Sequence, residues 1–388
     1  MNFQNKYIQL YFKVGFSNKK ILLLLAHLNK LVISMSTLKR RLRFLGLFRR
    51  KKYADLLEVA VFILQQQETS GKLHGYRCMH LKCIQSGFNI PRDTDSQLMK
   101  IIDPDGVKCR LSRKLRRRQY ASPGPNFAWH IDSYDKLKPY GIAINGCIDG
   151  FSRYMVWLEA GTTNSDLKVI SNYFIKAVKE KAGCPQRVRS DFGTEDVYVA
   201  NRQKFLRRNH NDEFAGDKSY LSGKSTHNQR IEWFWGILRK QMVQYYMDLF
   251  ADLCKDGHNM FCGDFVDKSV IQFCFMDIIQ SDLDDLRCTW NKHTMQKKPG
   301  NGSGKRPILL YSIPHIYNAE DHLYSTDEME VLVCEGETTP KKMCDETVFE
   351  LCTGLMTENN LMKPSNANEC KKLYVTLRQI LKHELAEL

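Results

Sequence analysis

Residues 127–160, FAWHIDSYDKLKPYGIAINGCIDGFSRYMVWLEA, decide the fold of this chain. Apolar and polar residues alternate in FAWHIDSY, KPYG supplies a turn, and GIAINGCID and SRYMVWLEA follow as two further apolar runs. A period of two with short connections predicts three strands in an antiparallel meander.

Downstream the period changes. SDLKVISNYFIKAVKEKAG (165–183) has helical spacing, with Ser165 as the expected cap and Gly183 as the expected stop. RVRSD (187–191) reads as a short strand and EDVYVANRQKFL (195–206) as a second helix. Three strands, helix, strand, helix predict an α/β fold with a mixed sheet covered by helices. A further helix is expected over FVDKSVIQFCFMDIIQSDLDDLRCTW (265–290), then a loop at KKPGNGSGKRP, and only scattered short elements over 315–388.

Upstream the pattern is helical. Ser17 is placed to cap NKKILLLLAHLNK and Ser36 to cap TLKRRLRFL, which Gly46 stops because a left-handed residue costs glycine nothing. Leu38, Leu42 and Leu45 share one face of that second helix, while Lys39, Arg40, Arg41 and Arg43 line the rest and Arg49 and Arg50 follow. This is the layout of a DNA recognition helix, and equally of a solvated basic face on a small bundle. Residues 53–110 read as helical up to a break at DPDG. RKLRRRQYASPGPN (113–126), which holds Arg116, Arg117 and Arg118, reads as a linker, a strap along a DNA backbone or a nuclear import signal. The expected organisation is a basic helix-turn-helix region (1–52), a helical region (53–112), a basic linker (113–126), an α/β core with a helical extension (127–300) and a tail (301–388).

The charge is uneven. Lys and Arg number 58 against 43 acids, and residues 1–118 alone carry 25 basic and 7 acidic side chains, whereas 315–388 carry 7 and 14. A basic front fits nucleic acid, an anionic membrane or a soluble cationic surface. The longest aliphatic run, ILLLLA at 21–26, is too short to cross a bilayer, and neither a signal peptide nor an anchor is expected. Thirteen cysteines without a C-x-x-C pair point to free thiols in a reducing compartment. His74, Cys78, His80 and Cys83 match no zinc spacing and read as a helix face.

Two aspartates stand out against this background. Asp132 lies inside the first strand, where a carboxylate weakens the strand unless it has a use. Asp191 closes another strand, and strand ends in such sheets are where ligands gather. HNQRIEWFWGILRK (227–240) then supplies a glutamate. With Asn228 as N-cap, Ile231, Phe234, Leu238, Met242 and Tyr245 form an apolar stripe, and Glu232 lies about 100° away with Trp235, Gly236 and Arg239. A glutamate there favours the helix dipole by roughly 0.3–1 kcal/mol. Gly236 costs about 1 kcal/mol relative to alanine and so argues for space kept beside Glu232. Arg239 and Lys240 add positive charge for DNA. Three converging carboxylates suit Mg²⁺ or Mn²⁺, and a metal pair roughly 3.5–4 Å apart serves phosphodiester chemistry.

WHIDSYDKLKPYG, IDGFSRYMVWLEA, VRSDFGTED and STHNQRIEWFWGILRK resemble the integrase core domain shared by retroviral and retrotransposon integrases and related DDE transposases, over about residues 122–300. Over a longer stretch the chain is similar to the integrase core proteins scattered through animal genomes as transposon-derived genes. The resemblance implies an RNase H-like, five-stranded mixed sheet with flanking helices. It also implies Asp132, Asp191 and Glu232 as a catalytic and metal-binding triad holding two Mg²⁺ or Mn²⁺ ions. Asp149 matches a hairpin position and not a triad member. DNA strand cleavage and transfer, self-association into homo-oligomers and a nuclear location follow as expectations. A domesticated, inactive DNA-binding protein is the alternative, and a nuclease acting on RNA–DNA hybrids ranks third. The chain departs from the retroviral pattern in the forty residues between Asp191 and Glu232, which call for an extra loop within RNHNDEFAGDKSY. It also lacks a recognisable amino-terminal zinc module or carboxy-terminal barrel.

Overall fold

In a computed structural model, the described residues are 3–111, 122–191, 196–224, 227–255, 260–295 and 304–386. They form two units, Met1–Arg117 with Lys292–Thr294, and Arg118–Asn291 with Met295–Leu388.

In the first unit, α1 (Phe3–Lys13), α2 (Asn18–Asn29) and α3 (Met35–Phe44) close over Ile8, Phe16, Ile21, Leu24, Leu25, Leu38 and Leu42. Ser17 caps α2 as expected. The cap of α3 is Ser34 and not Ser36: its extended backbone aims the hydroxyl at the Thr37 N–H, 3.1 Å away, and Ser36 falls inside the first turn. Gly46 follows with φ +68°. A second helical group, α4 (Leu56–Gln67), α5 (Tyr76–Gln85) and α6 (Arg92–Ile102), packs around Val59, Ile63, Met79, Cys83 and Met99, and α7 (Pro104–Leu111) follows α6. DPDG interrupts the helices for one residue only, because Pro104 serves as the first residue of α7, where its missing N–H is not needed.

The second unit begins with β1 (Trp129–Tyr134), β2 (Ala143–Asp149) and β3 (Met155–Gly161), antiparallel and in the register Asp132↔Gly146 and Gly146↔Leu158. Then come α8 (Leu167–Lys181), β4 (Gly183–Pro185), β5 (Val188–Ser190), α9 (Val197–Leu206) and β6 (Tyr220–Ser222). The five-stranded order is β3-β2-β1-β5-β6, with β5 parallel to β1 and β6 parallel to β5. This is the mixed sheet that the meander and the following helices implied, with the five RNase H-like strands that the resemblance implied; the three-residue β6 is too short to leave a period in the sequence. The cap of α8 is Asp166 and not Ser165, since its carboxylate reaches the N–H groups of Lys168 and Val169. The helix ends at Ala182, at φ 53°, and Gly183 instead opens β4.

Helices cover both faces of the sheet. Trp129, Ile131 and Trp157 pack with Phe174 and Val178 of α8 and Leu206 of α9. Ile144, Ile148 and Leu158 pack beneath α10 (Gln229–Leu238), α11 (Gln244–Lys255) and α12 (Phe265–Lys292). A π turn over Arg239–Val243 joins α10 to α11 and shifts the phase, so that Tyr246 is fully buried and Tyr245, placed on the stripe by simple spacing, is only half-buried.

β3 is an outer strand, and α12 completes it. Gln280 accepts from the Ala160 N–H and donates to the Leu158 carbonyl, Arg287 donates to Val156, and Asn291 both accepts from and donates to Met155. The helix thereby takes the hydrogen bonds that a further strand would otherwise compete for.

Residues 315–388, expected to hold only short elements, contain α14 (Glu328–Gly336), α15 (Glu346–Glu358) and the 20-residue α16 (Ala367–Ala386), after α13 (Pro307–Ser312) and β7 (Leu323–Ser325). β7 pairs with β4, and Cys370, Tyr374, Leu377 and Leu381 of α16 join the same core as α10–α12. Pattern reading misses α16 because its buried face carries Arg378, whose charge is met by Asp267 of α12 at 2.6 Å. Every cysteine whose side chain is described is a free thiol. Among the described residues, no helix is long and apolar enough to cross a membrane.

Candidate active site

Along β1, the pleat sends His130, Asp132 and Tyr134 to the α10 side of the sheet and Trp129 and Ile131 to the other. Each of the three meets α10. Asn228, the residue before the helix, accepts from buried His130 Nδ1 at 2.7 Å and donates its amide to the Ile131 carbonyl at 2.8 Å. The Trp235 indole N–H donates to Asp132 Oδ2 at 2.7 Å, and the Tyr134 ring lies 5.1 Å from the Trp235 ring. Spacing alone makes Asn228 a side-chain cap. Its side chain instead ties the start of α10 to β1, while its carbonyl accepts the first helical bond from the Glu232 N–H at 3.2 Å.

Asp191 arrives from the neighbouring parallel strand. β1 and β5 pair at Trp129↔Val188 and His130↔Arg189, so Asp132 and Asp191 lie two residues further along each strand. The Asp191 carbonyl accepts from the hydroxyls of Ser190 and Ser222, both at 3.0 Å, and Tyr220 backs Ser190 at 2.5 Å. These bonds fix the Asp191 backbone at the end of β5. Glu232 stands on the exposed stripe of α10, and a Cβ at Gly236 would meet nothing within 4 Å, so the space inferred beside Glu232 is open.

The charges of Glu232 and Asp191 act on Asp132, and that of Asp191 acts on Glu232. Burial, with the like charges of Glu232 and Asp191 adding to it and the Trp235 hydrogen bond opposing it, pushes the Asp132 carboxyl up to about 7. Partial burial and the Asp191 charge raise Glu232 as well. Burial drives the His130 ring down to about 3, so it is neutral and donates from Nδ1 to Asn228. Among the described residues, no three His, Cys, Asp or Glu side chains close on a single point tightly enough to hold a metal ion. Three carboxylates are the donor type a hard divalent cation takes, and a cation would relieve the like-charge repulsion that acts on Asp132 and Glu232.

Asp149 and Asp135 are spent elsewhere. Asp149 is fully buried, accepts from the backbone N–H groups of Asn126 and Ser152 and from the Ser152 hydroxyl, and is pushed up to about 6 by burial. Asp135 pairs with Lys138 at 3.0 Å and accepts from Asn164. The expected extra loop is built on Arg207, which is fully buried, pairs with Asp212 and lies 3.5 Å over the Tyr324 ring.

The basic residues divide. Lys39, Arg40 and Arg43 on α3, together with Arg50, are exposed. Arg41 is half-buried. The Arg49 guanidinium donates to the Phe16 carbonyl and covers the Phe12 ring at 4.2 Å, a structural use that sequence spacing could not show. Arg239 and Lys240 are exposed beyond α10. Arg116, Arg117 and Arg118 lie outside the described residues. Sequence spacing does not mark Trp235, Gly146 or His130 as site residues. The one usable signal is the three-residue step from Glu232 to Trp235, which puts both on one side of a helix.

The family model of the integrase core domain matches residues 119–320 of the 388. The comparison with curated proteins gives no match.

Proposed function

This chain belongs to the integrase core domain family, and we propose that it is a DNA strand-transfer enzyme whose acids are Asp132, Asp191 and Glu232. What supports the reading is that Asp132 in β1 and Asp191 after β5 stand at matching positions of two parallel strands, that Glu232 lies in the first turn of α10, and that the Asp191 and Glu232 charges act on Asp132. In such a reaction, water attacks a phosphodiester and displaces a 3′-hydroxyl, and that hydroxyl then attacks a phosphodiester of the target strand, joining to its phosphorus as the target's own 3′-oxygen leaves as a hydroxyl. Asp132, Asp191 and Glu232 would hold two Mg²⁺ or Mn²⁺ ions, which supply activation of the attacking oxygen and stabilisation of the leaving one. Asn228 and His130 set the distance between α10 and β1, and Trp235 holds the Asp132 carboxylate.

The test is purified protein with Mn²⁺ and a branched DNA that mimics the strand-transfer product, since this reverse reaction needs no knowledge of the cognate ends. Wild type is expected to resolve the branch and Glu232→Gln to leave it intact. No reaction from folded, DNA-binding wild type would leave the alternative, a DNA-binding protein that keeps the fold.

In this reading the basic first unit holds the duplex. The logarithm of the DNA affinity is then expected to fall linearly with the logarithm of salt concentration. Alanine at Lys39, Arg40, Arg43 and Arg50 should lower that slope by roughly one unit for each phosphate no longer neutralised. An unchanged slope would remove these residues from the interface. A nuclear location and self-association belong to the same reading and are checked by imaging the tagged chain and by sedimentation.

A further inference from the structure

Three features converge on one oxygen. Trp235 is buried, and its indole N–H lies 2.7 Å from Asp132 Oδ2. Its ring is wedged between Tyr134, at 5.1 Å between centroids, and Phe234, at 5.9 Å. The residue opposite Asp132 in the sheet is Gly146, and a Cβ there would stand 2.8 Å from Trp235 Cη2 and 3.3 Å from Leu158 Cδ1. With Tyr134, Phe234 and the sheet itself holding the ring, a methyl group at position 146 would have to displace it.

We propose that Trp235 is the positioning residue of this site, its N–H presetting the Asp132 carboxylate toward Asp191 and Glu232, and that Gly146 is glycine to admit the indole. The proposal rests on the triad reading above. A carboxylate on a strand can turn about its side-chain bonds, and three like charges in one site push it to turn away. One charge-assisted hydrogen bond from a rigid, packed donor opposes that motion. Partners of this kind around a metal ligand are typically worth roughly 10–100-fold in metal affinity or activity.

The experiment follows Mn²⁺ binding by water-proton relaxation and branch resolution in the same preparations of wild type, Trp235→Phe, Gly146→Ala and Asp132→Asn. Phe removes the donor and keeps an aromatic ring; Ala keeps the donor and crowds the ring. Both are expected to bind Mn²⁺ roughly 10–100-fold more weakly and to lower kcat at saturating metal. Wild-type affinity and kcat in both variants, beside an inactive Asp132→Asn, would overturn the positioning role and leave the triad standing. An active Asp132→Asn would remove the reading beneath it.

Should either variant fail to fold, the indole N–H signals of the wild-type protein decide the matter. One of them is expected to broaden with Mn²⁺ and to move in Asp132→Ala; if none does both, the proposal is wrong.

Discussion

Asp132→Asn is expected to leave a folded, DNA-binding protein that neither cuts, joins nor resolves branched DNA. On the proposed reading the loss should exceed the roughly 10–100-fold of an outer hydrogen-bond partner, because the substitution would remove an anionic ligand oxygen itself. Folding should survive for a definite reason. Asn keeps the volume and an acceptor for the Trp235 N–H, and it removes a carboxyl that burial and two neighbouring acids push up to about 7. A group raised in this way costs stability as pH climbs from its unfolded value toward its folded one. The variant should therefore melt at the wild-type temperature or slightly above it at pH 8. Thermal melting alongside the branch assay checks both halves, and retained activity would dismiss Asp132 from the triad.

Arg378→Met is expected to destabilise the second unit by about 3–5 kcal/mol, the cost of stranding a buried carboxylate. Asp267 is fully enclosed; Arg378 Nε donates to its Oδ1 at 2.6 Å, and the Cys262 N–H donates to its Oδ2. Burial alone would raise this carboxyl, but those hydrogen bonds and the Arg378 charge outweigh it and hold it below the usual range. The sign follows: in the wild type the pair stabilises above the unfolded carboxylate value and is lost as pH falls through the lower folded one. Without the arginine the penalty belongs to the ionised form and is relieved by acid, so the gap between variant and wild type should narrow toward pH 4. Denaturant titrations at pH 4 and pH 7.5 measure it, and Asp267→Leu with Arg378→Met should recover most of the loss. A single variant as stable as wild type would show that α16 is not part of this core.

Much was legible where a local period was long enough to speak. The meander came from alternation over 127–160 and α8 from helical spacing, while Asp132 drew notice as a carboxylate inside a strand, Asp191 as one at a strand end and Glu232 through the family resemblance of its motif. Beyond the phase shift of the π turn, two causes account for the misplaced caps and the missed charges. Caps moved by a residue or two, from Ser36 to Ser34 and from Ser165 to Asp166, because several hydroxyls and carboxylates compete and only backbone direction selects among them. α16 was missed because a charge on its buried face looks like solvent exposure until its partner is known, and the Arg49 contact with Phe16 was missed because that partner is remote in the chain.

By itself, then, the sequence determined the class of fold, and it offered Asp132, Asp191 and Glu232 as candidates through motifs of about a dozen residues each. Only the tertiary structure decided how the acids are held: Asn228 on His130 and Ile131, Trp235 on Asp132, and Gly146 making room for the indole. These contacts join residues about 90 to 100 positions apart, or pair them across a sheet. No local period encodes such distances, which packing and strand register alone set.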